Sequence, residues 1–252
     1  MNLPFVKMQG CGNSYLFFDC QNVAPDDKMM RQTAMAVSDA AFGVGSDGAV
    51  FLLKDESCFC RMRIFNKDGS EGTVCGNALR CVGKLFYAKL PFAVRTGAGV
   101  RWLAQNRGEV NVDMGPAQIA TDRHFAVGKR LLQACEVNVG NRHLVVFDGD
   151  DDAFFKLFRY SRVKDINFMW ARRLKDGSFA VLPVERGSGV TLSCGSGACA
   201  VAAAAVYFGF ADAQKEVRVR SEGGILSVGM KGDHMHQTGP VQMCCKGSWK
   251  IL

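Results

Sequence analysis

Two cysteines of this chain stand in the same setting. Cys75 opens "CGNALRC" and Cys194 opens "CGSGACA", and each Cys-Gly leads directly into a run of helix type. The first N–H groups of a helix lack internal partners and carry the positive end of its dipole. A thiol placed there ionises more readily than a buried thiol, and the same N–H groups can hold an anion such as a carboxylate. Gly76 and Gly195 have no side chain to block that approach. Two such thiols suit the inversion of a carbon centre. One group takes a proton from one face and another delivers a proton to the opposite face. One cysteine must begin as thiolate and the other as thiol, and such a pair titrates as a unit. Helix N-termini directed at an α-carboxylate would stabilise the carbanion in a dry, preorganised site. The scheme requires no metal and no pyridoxal cofactor.

The elements that would position these thiols occur twice. "GNSYLFFD" (Gly12–Asp19) and "GNRHLVVFD" (Gly140–Asp148) both run from Gly-Asn into an apolar stretch of strand type. Further on, "FNKDGSEGTVCGN" (Phe65–Asn77) is echoed by "VERGSGVTLSCGS" (Val184–Ser196). Asn66 lies nine residues before Cys75, and Glu185 lies nine residues before Cys194. In the first helical run Leu79, Val82, Leu85 and Phe86 share a face, whereas the alanine-rich Ala198–Phe208 suits a helix packed on all sides. "VNVDM" (Val110–Met114) and "VRVR" (Val217–Arg220) alternate as half-exposed strands do, and Asp27–Phe42 reads as a helix closed by Gly43. The expected fold is α+β, with two similar α/β domains, residues 1–118 and 119–252, related by a pseudo-two-fold axis. The C-terminal strand is free to cross back to the first domain. One cysteine per half places the expected site in the interdomain cleft.

Composition narrows the class of function. The chain has 252 residues, 48% of them hydrophobic and 22% charged, the profile of a soluble globular protein. No apolar run is long enough for a membrane span, and the N-terminus lacks the pattern of a signal peptide, so a cytoplasmic location is expected. The net charge of +7 comes from scattered residues, and the densest cluster, "ARRLKDG" (Ala171–Gly177), reads as a turn between strands, not a nucleic-acid patch. Eleven cysteines without CxxC spacing read as small buried hydrophobes for the most part, Cys81 and Cys199 included. "GVGSDG" (Gly43–Gly48) matches a dinucleotide motif in letters, but its order is helix, glycines, strand, the reverse of what such a site needs. Gly48 is then a turn residue whose backbone can touch substrate. His124, His234 and His236 lack a ligand cluster at metal spacing.

The motifs "GCGNSYLFFD", "GVGSDG", "RIFNKDGSE", "VCGNALRC", "VGNRH", "INFMW", "ERGSG" and "SCGSGACA" follow the order found in diaminopimelate epimerases. The chain resembles that family from about residue 7 to Pro240. The resemblance implies cofactor-independent interconversion of LL- and meso-diaminopimelate, a step toward lysine and peptidoglycan, and a homodimer. It implies Cys75 and Cys194 as base and acid, with His143 and Glu185 supporting them. It assigns the distal groups of the substrate to Asn66, Asn141, Asn167 and Arg186, and the reacting centre to Asn13, Gly76, Asn77, Gly195 and Ser196. A forked guanidinium suits a carboxylate, and amides serve both ends of an amino acid. The chain departs from the family pattern at Ser14 and Tyr15, and at Arg142, which replaces a proline. That change lifts a φ constraint beside Asn141 and adds charge near the expected cleft. It departs again in the "DINFMW" around Asn167. The residues leave open a racemase for another amino acid, such as histidine or glutamate, on the same fold. They also leave open a thiol redox sensor and a non-catalytic amino-acid binder.

Overall fold

The computed structural model describes residues 2–127, 129–147, 166–186 and 189–250. The chain divides into two compact units, Met1–Val112 with Gly239–Leu252, and Asp113–Thr238. In the first unit the elements are β1 (Asn2–Gly10), β2 (Asn13–Cys20), α1 (Asp27–Ser38), β3 (Gly48–Leu53), β4 (Cys60–Asn66) and the short β5 (Glu71–Gly72). They continue with α2 (Gly76–Leu85), a 3-10 turn at Tyr87–Lys89, β6 (Phe92–Thr96), β7 (Gly99–Asn106) and β8 (Glu109–Pro116), whose last residues pass into the second unit. The second unit then has β9 (Gln118–Val127), β10 (Arg130–Asn138), β11 (Arg142–Phe147), β12 (Asn167–Arg173), β13 (Phe179–Glu185) and β14 (Gly189–Val190). It ends with α3 (Gly195–Tyr207), β15 (Val217–Ser221), β16 (Gly224–Lys231) and β17 (His234–Thr238). The chain then returns to the first unit as β18 (Gln242–Lys250).

Both units use one pairing plan. In the first, β2 is antiparallel to β1 and parallel to β3, β3 is antiparallel to β4, and β4 is parallel to β6. In the second, β11 is antiparallel to β10 and parallel to β12, β12 is antiparallel to β13, and β13 is parallel to β15. The parallel steps need crossovers. α1 lies in the β2–β3 crossover, α2 in β4–β6, and α3 in β13–β15. The outer strand beside β10 is β9, and the outer strand beside β1 is β18. The last strand of the chain therefore fills in the first unit the place that a preceding strand fills in the second.

Alternation along the strands sorts the core. Leu16 and Phe18 of β2 join Met30, Ala34 and Val37 of α1 with Phe51 and Phe65, and the Phe18 and Phe51 rings stack at 5.2 Å. Tyr15 and Phe17, also buried, occupy the opposite face of β2. Leu144 and Val146 of β11 likewise pack with Phe168 and Trp170, while His143 and Val145 are buried on the other face. α3 is buried from Gly195 to Ala205. Its alanines allow close approach, and a Cβ on Gly197 would stand 2.3 Å from the Met169 sulfur.

One helix differs from its sequence reading. α1 ends at Ser38, not Phe42, because the Asp39 carboxylate accepts the N–H groups of Ala41 and Phe42 and turns the chain away. Gly43 still serves the closure, since a Cβ there would stand 2.3 Å from the Ala36 carbonyl oxygen. At the start of the helix Asp26 caps Met29 N–H at 2.7 Å. Among the described residues no helix is long and apolar enough to cross a membrane.

Candidate active site

In the first unit Cys75 is the N-cap of α2, and its Sγ accepts the Ala78 N–H at 3.4 Å. Its thiol also hydrogen-bonds the Tyr15 hydroxyl at 3.7 Å. Strand register places Tyr15 beside Gly48, and Gly48 beside Asn66. A Cβ on Gly48 would stand 2.2 Å from the Phe65 carbonyl oxygen, so this row requires glycine at its centre. Asp47, in the turn before β3, accepts Ser14 N–H at 2.7 Å and donates its own N–H to Ser14 O at 2.8 Å. Asn77, the second residue of α2, is buried, and its Nδ2 donates to Asn13 Oδ1 at 2.6 Å. Asn66 ends β4 at the tight turn that follows, its Nδ2 donating to Ser70 Oγ at 2.9 Å.

The second unit repeats the plan with other side chains. Cys194 is the N-cap of α3, and its Sγ accepts the Gly197 N–H at 3.3 Å. The Ser196 hydroxyl lies 3.6 Å from that sulfur and 3.0 Å from His143 Nε2. His143 holds in β11 the position that Tyr15 holds in β2, and Ser196 matches Asn77. Burial holds the His143 imidazole down to about 3, so the ring is neutral near pH 7. Among the described residues its buried Nδ1 meets no hydrogen-bond partner. A neutral ring that donates from Nε2 lets the Ser196 hydroxyl donate onward to the Cys194 sulfur, and leaves Nδ1 a bare acceptor.

Cys194 corrects the expectation that a helix start lowers the thiol's pKa. Burial comes first, and the charge and hydrogen bond of Glu185 add to it, raising Cys194 well above the ordinary thiol value. Donation from Ser196 and Gly197 opposes this without reversing it. Cys194 is therefore a thiol at neutral pH. Glu185 is fixed in turn by Thr191, whose hydroxyl donates to it at 2.6 Å.

The remaining candidates sit at strand ends. Asn167 pairs in register with His143. Its amide is engaged by backbone, with Oδ1 accepting Arg186 N–H at 3.0 Å and Nδ2 donating to Arg142 O at 3.3 Å. It thus joins the starts of β11 and β12 to the end of β13. Arg186 is exposed. Asn141 lies in the turn before β11, where its carbonyl accepts Val139 N–H at 3.1 Å. The Arg142 guanidinium pairs with the Glu136 carboxylate at 2.6 Å. Gly187 and Ser188 of "ERGSG" lie outside the described residues. His124 is exposed and the His234 ring bonds Asp113 at 2.9 Å. Among the described residues no group of three or more His, Cys, Asp or Glu side chains could hold a metal ion.

Sequence reasoning noted Tyr15 only as a departure from the family pattern, and did not single out Asp47, Arg80 or Thr191. Tyr15 carried a signal, since it aligns with His143 in the Gly-Asn repeat. Arg80 gave none, because an arginine on a helix is ordinarily solvated.

The family model for diaminopimelate epimerase matches residues 5–120 and 135–244. A diaminopimelate epimerase of Desulforudis audaxviator is 35% identical over 281 residues, covering 98% of this chain and 99% of the relative. Among solved structures, a Bacillus anthracis phenazine biosynthesis protein of the PhzF family is similar over the full length of both chains, with a TM-score of 0.77 at 14% identity. A hydroxyproline epimerase from Agrobacterium vitis, with bound trans-4-OH-L-proline, has a TM-score of 0.69 at 15% identity, covering 98% of this chain and 91% of that one. These distant structures share the fold.

Proposed function

We propose a two-thiol proton-exchange mechanism for this chain, which belongs to the diaminopimelate epimerase family. The protein is an isomerase that interconverts LL- and meso-diaminopimelate, a small amino-acid substrate. The observation that carries the mechanism is the doubled half-site, in which a cysteine caps a helix with its thiol accepting the N–H three residues on. Epimerisation needs a base for one face of the α-carbon and an acid for the other, and each unit supplies one thiol. Cys194, held as a thiol by burial and Glu185, is the proton donor at rest. Cys75 is the partner that enters as thiolate and removes the α-proton. The carbanion is held as its carboxylate charge grows, by N–H groups at the starts of α2 and α3. Cys194 then delivers its proton, and Cys75 retains the one it took. In the reverse direction the roles exchange.

The supporting assignments follow the same logic. His143 and Ser196 orient the Cys194 sulfur, and Glu185 receives the hydrogen bond of its thiol. Asn13, Gly76, Asn77, Gly195 and Ser196 serve the reacting centre. Gly48, Asn66, Asn141, Asn167 and Arg186 serve the remainder of the substrate, with Asn167 acting through the two strand ends it ties. Whole-chain relatives that carry diaminopimelate in their names favour this substrate over histidine or glutamate, and an isomerase over a redox sensor. A cytoplasmic homodimer completes the reading, and light scattering on the purified protein tests the dimer.

The decisive experiment is turnover in deuterated water with a panel of amino acids and a chiral readout. LL-diaminopimelate should gain one α-deuterium per inversion and be the best substrate. Faster turnover of another amino acid overturns the substrate. Undiminished exchange in a Cys75→Ala, Cys194→Ala double variant overturns the mechanism.

A further inference from the structure

Arg80 lies in the second turn of α2 and is fully buried. A buried cation loses its hydration, and near a helix start it also opposes the dipole. A guanidinium can donate but cannot accept. Arg80 Nη2 donates to Asn77 Oδ1 at 2.7 Å and to Cys11 Sγ at 3.7 Å. With its oxygen committed, Asn77 must face Asn13 with Nδ2, and it donates to Asn13 Oδ1 at 2.6 Å. Asn13 in turn has its oxygen committed. Its Nδ2 is the end of the relay, and that end only donates. β1 passes close over the relay at Gly10, where a Cβ would stand 3.3 Å from Asn77 O and 3.4 Å from Arg80 Nη2.

We propose that Arg80 is a positioning residue that sets the amide polarity of Asn77 and Asn13, so that this half-site presents N–H donors and takes a carboxylate of the substrate, not its ammonium group. The inference rests on the epimerase reading above. The second unit makes the contrast. Five residues after Cys194 stands Cys199, as Arg80 stands five after Cys75. Without a guanidinium, Ser196 takes up His143, and that relay ends on the Cys194 sulfur. One plan is thus wired to a binding amide in one unit and to the reacting thiol in the other.

Three variants test it in the full-length enzyme. Asn77→Asp keeps Arg80 paired but offers Asn13 acceptors alone, so Asn13 must turn its Nδ2 inward and present oxygen. KM for diaminopimelate should rise at least about tenfold, with kcat falling by less, and the melting temperature should hold. Arg80→Lys preserves a donor to Asn77 and should keep KM within about threefold, whereas Arg80→Met should raise it as Asn77→Asp does. Wild-type KM in Asn77→Asp, or equal KM in the Lys and Met variants, overturns the proposal. A readout without substrate separates it from the epimerase reading. If wild-type enzyme incorporates no α-deuterium, that reading fails. The side-chain amide NMR signals of unliganded protein still decide the relay. Asn77→Asp should shift the Asn13 amide pair, and an unmoved pair overturns the polarity.

Discussion

At the scale of single residues, the two thiols differ in what surrounds them. Cys194 has Glu185, Ser196 and a buried neutral His143 within its network. Cys75 has the Tyr15 hydroxyl. Two thiols of one backbone design are thus set among different neighbours. Removing the Tyr15 hydroxyl while keeping its ring takes away one weak hydrogen bond to sulfur, of order 1 kcal/mol. Tyr15→Phe should therefore lower kcat/KM about fivefold and leave chemical denaturation nearly unchanged. A rate equal to wild type would remove Tyr15 from the site. His143 gives a prediction in pH. Its folded pKa is about 3 against the ordinary 6.5, so below pH 6.5 the unfolded chain takes up a proton that the folded chain refuses. The stability due to the neutral ring is complete above pH 6.5 and is lost as pH falls toward 3. At pH 5 the loss is about 2 kcal/mol. Urea unfolding from pH 7 to pH 4 should show this decline in wild type and not in His143→Gln.

At the scale of elements, the site depends on close approach of backbone. Gly48 lies in β3 with Tyr15 on one side and Asn66 on the other. A Cβ there meets the Phe65 carbonyl oxygen at 2.2 Å, and a strand backbone cannot swing aside as a flexible side chain can. Gly48→Ala should cost about 2–3 kcal/mol and move Asn66 away from its register. Equilibrium denaturation measures the cost, and an unchanged midpoint would show that β3 and β4 separate freely. α3 depends on small residues in the same way. Gly197 and the alanines after it admit Met169 and the surrounding strands to the helix surface.

At the scale of the whole molecule, the chain builds one plan twice and closes the first copy last. β18 pairs along β1 and brings Trp249 against the Leu3 and Phe5 core. Deleting residues 239–252 leaves β1 with an open edge and uncovers that cluster. The truncated chain should be poorly soluble and lose the cooperative unfolding of its first unit. A soluble product with wild-type melting would mean that β18 is dispensable. The deletion leaves every residue proposed for catalysis in place, so lost activity would report on folding.

The order of motifs was legible in the amino-acid sequence because strands and helices have local periods, and because each Cys-Gly marks a helix start by its own chemistry. The duplication and the helix after each cysteine follow from such local signals, whereas the parallel pairing of β2 with β3 and of β11 with β12 joins residues distant in the chain. The sequence also singled out Asn13 and Asn77, but not the link between them. That link depends on Arg80, whose burial is a property of everything packed around α2 and not of its neighbours in the chain. The same holds for Cys194, where a local rule favours the thiolate. Desolvation and Glu185, brought near by a separate strand, reverse it. Secondary structure and repeat are written in short-range patterns, whereas polarity and protonation at a buried site are set by dielectric and by partners that only folding assembles.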